Sequence, residues 1–312
     1  MTEPLHIPVL LEESIDGLNV RPGGTYFDGT LGGGGHSYEI LKRSAPDGRL
    51  IATDLDGYAI ERATERLSEF YGRYEIFKEN FSAFPEIMES RAPEGFDGIM
   101  LDLGVSSFQL DDKSRGFSYM AEDERPDMRM NRDNPLTAEK VVNDYPEKEL
   151  KRIIAEYGEE RFAAKIAENI VKERKKEPIV TVGRLNGIIR ESIPKKYQHE
   201  GHPSKRTFQA LRIEVNGELD SLKNTLVKMV RGLKAGGRIA VISFHSLEDR
   251  LVKQTFRELE QDCVCDKRLP ICVCGKKKEI NIVTKHPIVA GEEELRANGR
   301  AASAKLRIAE KI

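Results

Sequence analysis

One segment constrains the fold more than any other: Phe27-Asp28-Gly29-Thr30-Leu31-Gly32-Gly33-Gly34-Gly35-His36. Apolar residues run into an acid, a glycine run follows, and Ser37-Tyr38-Glu39-Ile40-Leu41 then reads as a helix. A glycine-rich link between strand and helix lets a ligand approach the bare backbone, and the helix start adds unpaired N–H donors. A second acid, Asp54, stands nineteen residues after Gly35, at the close of the apolar run Leu50-Ile51-Ala52-Thr53. In nucleotide-binding α/β folds an acid at that distance bonds the ribose hydroxyls. The segment is therefore expected to bind an adenosine-containing cofactor. The dinucleotide fingerprint G-x-G-x-x-G is matched in part, but only because glycine fills every slot. Asp28, just ahead of the glycines, points instead to S-adenosylmethionine, whose enzymes carry an acid there near the cationic methionine end. The bland alternative is a tight turn with no ligand. Four consecutive glycines weigh against it, since each costs conformational entropy with no expected packing return.

The surrounding pattern predicts the architecture. Strand-like runs at 25–28, 49–54, 74–78 and 96–103 alternate with helical runs, and Ala59, Ala63 and Leu67, with Ile60 alongside, show helical spacing. Such alternation implies a parallel, doubly wound sheet. The pattern breaks over 104–135, which is polar with scattered Gly, Ser, Asp and Pro. Phe162, Ile166 and Ile170 then share a helix face that Gly158 precedes. A long stripe follows through Phe208, Leu211, Val215, Leu219, Leu222, Leu226, Met229 and Leu233. The segment 233–238 reads as a helix stop and turn leading into a fully buried strand at 239–244, and 305–309 reads as a final strand. Residues from about 110 to 210 thus form a helical insertion in one α/β domain, with 1–109 and 211–312 as its core.

At 312 residues the chain has room for about two domains, and 39% apolar content supports an ordinary core. The N-terminal residues lack a basic stretch followed by an apolar one, and no run approaches the roughly 18 apolar residues of a membrane span. A cytoplasmic protein without a membrane partner is expected. The net charge of −2 carries no global mark of nucleic-acid binding, but from Arg184 to Arg212 seven basic residues face two Glu. Lys276-Lys277-Lys278 is a second basic spot. Four cysteines form Cys263-Val264-Cys265 and, six residues on, Cys272-Val273-Cys274. Clustering of this kind in a cytosolic protein favours metal over disulfide, so a structural zinc site is one reading and reduced loop cysteines the other.

Taken together, the motifs resemble the RsmH (MraW) family of bacterial ribosomal-RNA cytidine N4-methyltransferases over nearly the whole chain. The matching segments are His6-Ile7-Pro8-Val9-Leu10-Leu11, Asp28-Gly29-Thr30 through Gly34-Gly35-His36-Ser37, and Leu101-Asp102-Leu103-Gly104-Val105-Ser106-Ser107 with Gln109-Leu110-Asp111. Further along are Arg115-Gly116-Phe117-Ser118, Asp127-Met128-Arg129-Met130, Tyr157-Gly158-Glu159-Glu160-Arg161-Phe162, Thr207-Phe208-Gln209-Ala210 and Ser243-Phe244-His245-Ser246-Leu247-Glu248-Asp249-Arg250. Phe108, where the family usually has proline, and Arg125-Pro126-Asp127, where it has Pro-Leu-Asp, depart from the pattern. The resemblance implies a class I methyltransferase sheet, Rossmann-like, with an inserted all-helical domain, and the basic 184–212 stretch makes that insertion the expected RNA-binding domain. It implies S-adenosylmethionine held by Gly34, Gly35, His36, Asp54, Phe81, Asp102 and Gln109, with no metal required. The implied substrate is 16S rRNA, within the small ribosomal subunit, at the decoding-region cytidine 1402 in rRNA numbering.

Methylating an exocyclic amine needs positioning more than covalent help. Asp102 is the candidate acceptor for the amine N–H. Many amino-methyltransferases carry Asp/Asn-Pro-Pro-aromatic here, whereas this chain has Asp102-Leu103-Gly104-Val105, so service to the cofactor alone is the other reading. Cytosine C5 chemistry would need a cysteine nucleophile near the fourth or fifth strand, and the first cysteine is Cys263. His245, Ser246 and Asp249 lie too close in sequence for a hydrolytic triad, and Ser246-Leu247-Glu248-Asp249 reads as a capping box. His245 either faces substrate or is structural, and His36 either touches the cofactor or only orients the glycine loop. Two competing functions are a dehydrogenase, which the position of Asp28 disfavours, and a non-catalytic ribosome-assembly protein with a vestigial cofactor pocket.

Overall fold

The computed structural model describes residues 8–198, 201–266 and 273–312. The chain forms two compact units, Met1–Gly104 with Leu219–Ile312, and Val105–Glu218. The first unit begins α1 (Leu11–Leu18), β1 (Thr25–Asp28), α2 (Gly35–Arg43), β2 (Arg49–Thr53), α3 (Gly57–Arg66), β3 (Tyr74–Phe77), α4 (Phe84–Arg91) and β4 (Phe96–Asp102). The second holds α5 (Ser107–Asp111), α6 (Ala138–Asp144), α7 (Glu147–Glu156), α8 (Ala163–Arg174), α9 (Val182–Ser192) and α10 (Lys205–Asn216). The chain closes with α11 (Glu218–Arg231), β5 (Leu233–Ser243), α12 (Ser246–Glu260), β6 (Ile280–Ile282), α13 (Glu292–Ala297) and β7 (Lys305–Lys311).

The sheet order is β3-β2-β1-β4-β5-β7-β6. Neighbours from β3 through β5 pair in parallel, and β7 runs antiparallel to both β5 and β6. This is the class I methyltransferase arrangement, a doubly wound sheet with an antiparallel strand near one edge. The chain winds outward from β1 through β2 to β3, then returns to place β4 on the other side of β1. The crevice at the carboxyl ends of β1 and β4 is therefore a topological switch point, where α/β folds bind ligands.

The core follows from strand periodicity. Phe27, Ile99, Leu101, Ile239 and Val241 belong to one apolar cluster, with Phe84 from α4, Leu226 from α11 and Phe256 from α12. Tyr26, Met100, Ala240 and Ile242, their immediate neighbours in sequence, belong to another, with Ile15, Ile40 and Leu41 from α1 and α2. Successive strand residues face opposite sides, so a sheet covered on both faces reads as a continuous apolar run. Phe27, Phe84 and Phe96 meet with ring centroids 5.1 to 5.6 Å apart.

The second unit has its own core, which includes Val141, Ile153, Ile166, Ile170, Leu185, Phe208 and Leu211. Its irregular first part is held by the Arg-Gly and Asp-Met-Arg motifs. A Cβ on Gly116 would stand 2.3 Å from the Arg125 carbonyl oxygen, so two backbones meet there in direct contact. Arg115 donates to the carbonyls of Arg129 and Met130 at 2.8 and 3.0 Å, and the Arg129 guanidinium donates twice to Asp127.

Two readings of the sequence change. The stripe from Phe208 to Leu233 is not one helix: Gly217, at φ 60°, ends α10 and α11 starts at the next residue. Val215 belongs to the second unit's core and Leu222 to the first, so one uninterrupted period serves two cores. The segment 233–238 lies inside β5 rather than before it. Phe96 pairs with Leu233 and Gly98 with Arg238, so 234–237 bulge from the ladder, with Gly236 at φ 75°. Strand β6 follows a cysteine-rich stretch whose apolar signal is only three residues long, too short to read from sequence. Among the described residues, no helix is long and apolar enough to cross a membrane.

Candidate functional site

Three acids gather at the carboxyl edge of the parallel strands: Asp28 ends β1, Asp54 follows β2 and Asp102 ends β4. Asp28 is buried and fully engaged. Its Oδ1 accepts from the Thr30 amide at 3.0 Å and its Oδ2 from the Ser37 hydroxyl at 2.6 Å. Burial pushes its pKa up to about 6, against the pull of those bonds, and the charge of Asp54 adds to the rise. Asp54 accepts from the Gly32 amide at 2.8 Å and from the Asp56 amide at 2.8 Å. Its carboxyl is also raised by burial, with those amides opposing. Asp54 thus clamps the glycine loop at Gly32, a part its spacing did not disclose.

Asp102 differs from both. Its backbone amide donates to Thr30 Oγ1 at 2.5 Å, which fixes the end of β4 against the loop after β1. Its side chain is 27% exposed, yet its Oδ1 is buried and has no hydrogen-bond partner among the described residues. Burial, then Asp28 and Glu248, push its pKa up to about 8. A buried acceptor without a partner is costly, and its cost is relieved by a ligand that donates to it.

The glycine loop is built for packing as well as access. Gly34 sits at φ 73° as the N-cap of α2, and a Cβ on it would stand 3.1 Å from Ala63 Cβ. A Cβ on Gly35 would stand 2.1 Å from Pro8 Cγ. Against the expectation that these glycines bring no packing return, part of their smallness serves close packing within the protein. His36 is buried, with Nε2 3.2 Å from the Val9 carbonyl oxygen and Nδ1 3.9 Å from Asp102 Oδ2. Phe81 opens the turn Phe81–Ala83 after β3, and a Cβ on Gly29 would come within 3.0 Å of Phe81 Cβ. Gly34, Gly35, His36, Asp54, Phe81 and Asp102 therefore all lie around the carboxyl edge of β1, β2 and β4. Gln109 belongs to the second unit, where it is buried and forms a capping box with Ser106 at the start of α5.

The capping box of α12 starts one residue earlier than its sequence suggests. His245 is the N-cap, its side chain accepting from the Glu248 amide, while Glu248 Oε2 accepts from the amides of Phe244 and His245. Imidazole is an uncommon cap, so Ser246 drew the assignment. Glu248 is buried and adds charge beside Asp102, which nothing in its helical context signalled. Cys263, Cys265 and Cys274 lie between α12 and β6, and Cys272 lies outside the described residues.

The raised carboxyl has a thermodynamic consequence. An unfolded aspartate titrates near 3.9, so between about pH 4 and about pH 8 the folded state holds more protons at Asp102. Stability from this group is present at low pH and is lost as pH rises across that window. Asp102→Asn does not titrate. The stability of the wild type relative to Asp102→Asn, measured by urea unfolding without ligand, is expected to fall from pH 5 to pH 8. A difference independent of pH would refute the raised pKa.

Known relatives match this chain along nearly its whole length. The MraW methylase family model matches residues 3–312. A ribosomal RNA small subunit methyltransferase H 2 from Agathobacter rectalis is 53% identical over 307 residues, covering 98% of each chain. A ribosomal RNA small subunit methyltransferase H from Lachnospira eligens is 52% identical over 308 residues, again covering 98% of each chain. A crystal structure of an rRNA methylase from Streptococcus thermophilus is a more distant likeness, at 10% identity and a TM-score of 0.44 over 98% of this chain and 99% of that one. A match that runs from the segment before α1 to the end of β7, through the acids and glycines of the switch point, leaves one assignment: the chain belongs to the MraW methylase family.

Proposed function

We propose that the protein transfers a methyl group from S-adenosylmethionine to N4 of a cytidine in small-subunit ribosomal RNA. By the resemblance noted above, the target is cytidine 1402 of 16S rRNA, within the small subunit. The observation that carries the reading is Asp102 Oδ1, which has no hydrogen-bond partner among the described residues, beside Asp28 and the glycine loop at the switch point. Carboxyl groups whose pKa values burial has raised are relieved by a cationic ligand, and a sulfonium bearing an ammonium group is one. The names of the relatives supply the RNA, and the raised acids fit the cofactor.

When bound, S-adenosylmethionine supplies an activated methyl that departs from a sulfur left neutral. The protein's part is placement and proton handling. Asp54 stands where the ribose hydroxyls of an adenosine fall in this fold, and Phe81 offers a ring to adenine. The glycine loop gives its backbone to the amino-acid end. Asp102 accepts a hydrogen bond from the cytosine amine and so aims the nitrogen lone pair at the methyl. Beside the cationic ligand Asp102 ionises, its own proton leaving to solvent on binding, so that this carboxylate can take up the surplus N4 proton as the N–C bond forms. The experiment is direct: small subunits from cells lacking the gene, incubated with the purified protein and S-adenosylmethionine, are digested and their nucleosides weighed by mass spectrometry. N4-methylcytidine is the expected product, and its absence overturns the proposal.

For RNA binding the second unit offers the basic stretch. Within it, Arg184 pairs with Glu177, and Arg212 makes two 2.9 Å bonds to Glu218. Arg190, Lys195, Lys196, Lys205 and Arg206 are exposed. Tyr197, 40% exposed, has the Arg161 guanidinium 4.3 Å from its ring centroid and Lys196 Nζ at 4.9 Å. Cations flanking an accessible ring suit single-stranded RNA. Neutralising Lys195, Lys196, Lys205 and Arg206 together is expected to lower the slope of log K against log salt by about 0.7 for each phosphate that the protein no longer neutralises. Cofactor affinity is expected to stay unchanged. An unaltered slope in filter-binding assays would place the RNA elsewhere.

A further inference from the structure

Between α12 and β6 the chain runs from Gln261 to Lys278, and its described part contains no helix or strand. The ends of this stretch are closed. The Glu279 amide donates to the Leu259 carbonyl at 2.9 Å, and the Ile282 amide to Glu260 Oε1 at 2.9 Å. A connection of this length needs something to order it.

Among its described residues, the valines are not buried. Val264 is 60% exposed and Val273 77% exposed, although each stands between or beside cysteines. The thiols converge instead. The sulfurs of Cys263, Cys265 and Cys274 all lie within 4.8 Å of one another, and Cys263 Sγ is 3.9 Å from Cys274 Sγ. No disulfide links these three. A tetrahedral zinc with Zn–S bonds of about 2.3 Å separates its sulfurs by about 3.8 Å. Backbone amides also turn toward these sulfurs: Val264 N–H to Cys274 at 3.4 Å, Cys265 N–H to Cys263 at 3.3 Å, and Val273 N–H to Cys265 at 3.4 Å. Amide donors of this kind stabilise thiolates, the form that binds metal. The sequence then continues into Lys276-Lys277-Lys278, whose charge offsets that of a multi-thiolate centre.

We propose that Cys263, Cys265 and Cys274 form a structural site for a thiophilic divalent cation, zinc by chemistry, that ties the loop between α12 and β6. Each thiol releases its proton to solvent as its sulfur bonds the metal, and no oxidant or reductant is needed. The site is separate from the methyl-transfer centre and does not depend on the reading given for it.

The test uses the full chain, reduced and stripped of metal, titrated with Co²⁺ and then Zn²⁺. The expected result is thiolate-to-cobalt charge-transfer absorption that saturates near one equivalent and is bleached by Zn²⁺. The triple variant Cys263→Ser, Cys265→Ser, Cys274→Ser is expected to lose that absorption while keeping wild-type S-adenosylmethionine affinity. Elemental analysis of the wild-type protein as purified, with about one zinc per chain expected, keeps the question answerable if the variant misfolds. A wild type that gives no charge-transfer band overturns the site. So does a triple variant with an unchanged band, or a disulfide among these cysteines in protein purified under reducing conditions.

Discussion

Asp102→Ala is expected to lower the rate of methyl transfer by about 10²–10⁴-fold, the usual range for loss of a positioned proton acceptor. The residue's Oδ1 is buried at the end of β4 without a partner among the described residues, and its pKa of about 8 keeps the carboxyl mostly protonated before ligand binds. Asp102→Asn separates the two roles open to this side chain. Asparagine copies the size and neutrality of the protonated acid but cannot take up the amine proton. If Asp102 serves the cytosine amine, Asp102→Asn retains near wild-type S-adenosylmethionine affinity and loses turnover at saturating cofactor. If it serves only the cofactor, affinity and rate fall together. Single-turnover kinetics with calorimetry distinguish these outcomes. Wild-type turnover in the alanine variant would remove Asp102 from the site.

Asp54→Ala is expected to weaken S-adenosylmethionine binding by about 1.5–3 kcal/mol, the loss that follows removal of a charged hydrogen-bonding partner. The structure adds a second consequence. Asp54 also accepts from the amides of Gly32 and Asp56, so alanine leaves both donors to find water and loosens the glycine loop. Asp54→Asn keeps an acceptor oxygen for one of these amides and is expected to fall between wild type and alanine in both affinity and thermal stability. Calorimetry and thermal unfolding check this order. Unchanged affinity in Asp54→Ala would sink the ribose assignment, and unchanged stability would sink the clamp.

The strands and the switch point were legible because they rest on local periodicity. An acid closing an apolar run, a glycine run and a helix start are consecutive in sequence, and the parallel sheet is the arrangement that buries such runs on both faces. The resemblance to a family likewise rests on short ordered motifs. What the sequence left open were matters of three-dimensional company. Gly217 divides a stripe whose period never breaks, because helix spacing records which face is buried and not which core buries it. His245 takes the capping place that Ser246 was expected to hold, since a cap is chosen by backbone geometry and both residues carry an acceptor. Glu248 enters the neighbourhood of Asp102 only because β5 lies beside β4. The α/β order and the acids at its strand ends follow from local sequence. The tertiary structure alone decided which of those acids is already satisfied and which is left with an empty acceptor, because hydrogen-bond partners and desolvation depend on neighbours far away in the chain.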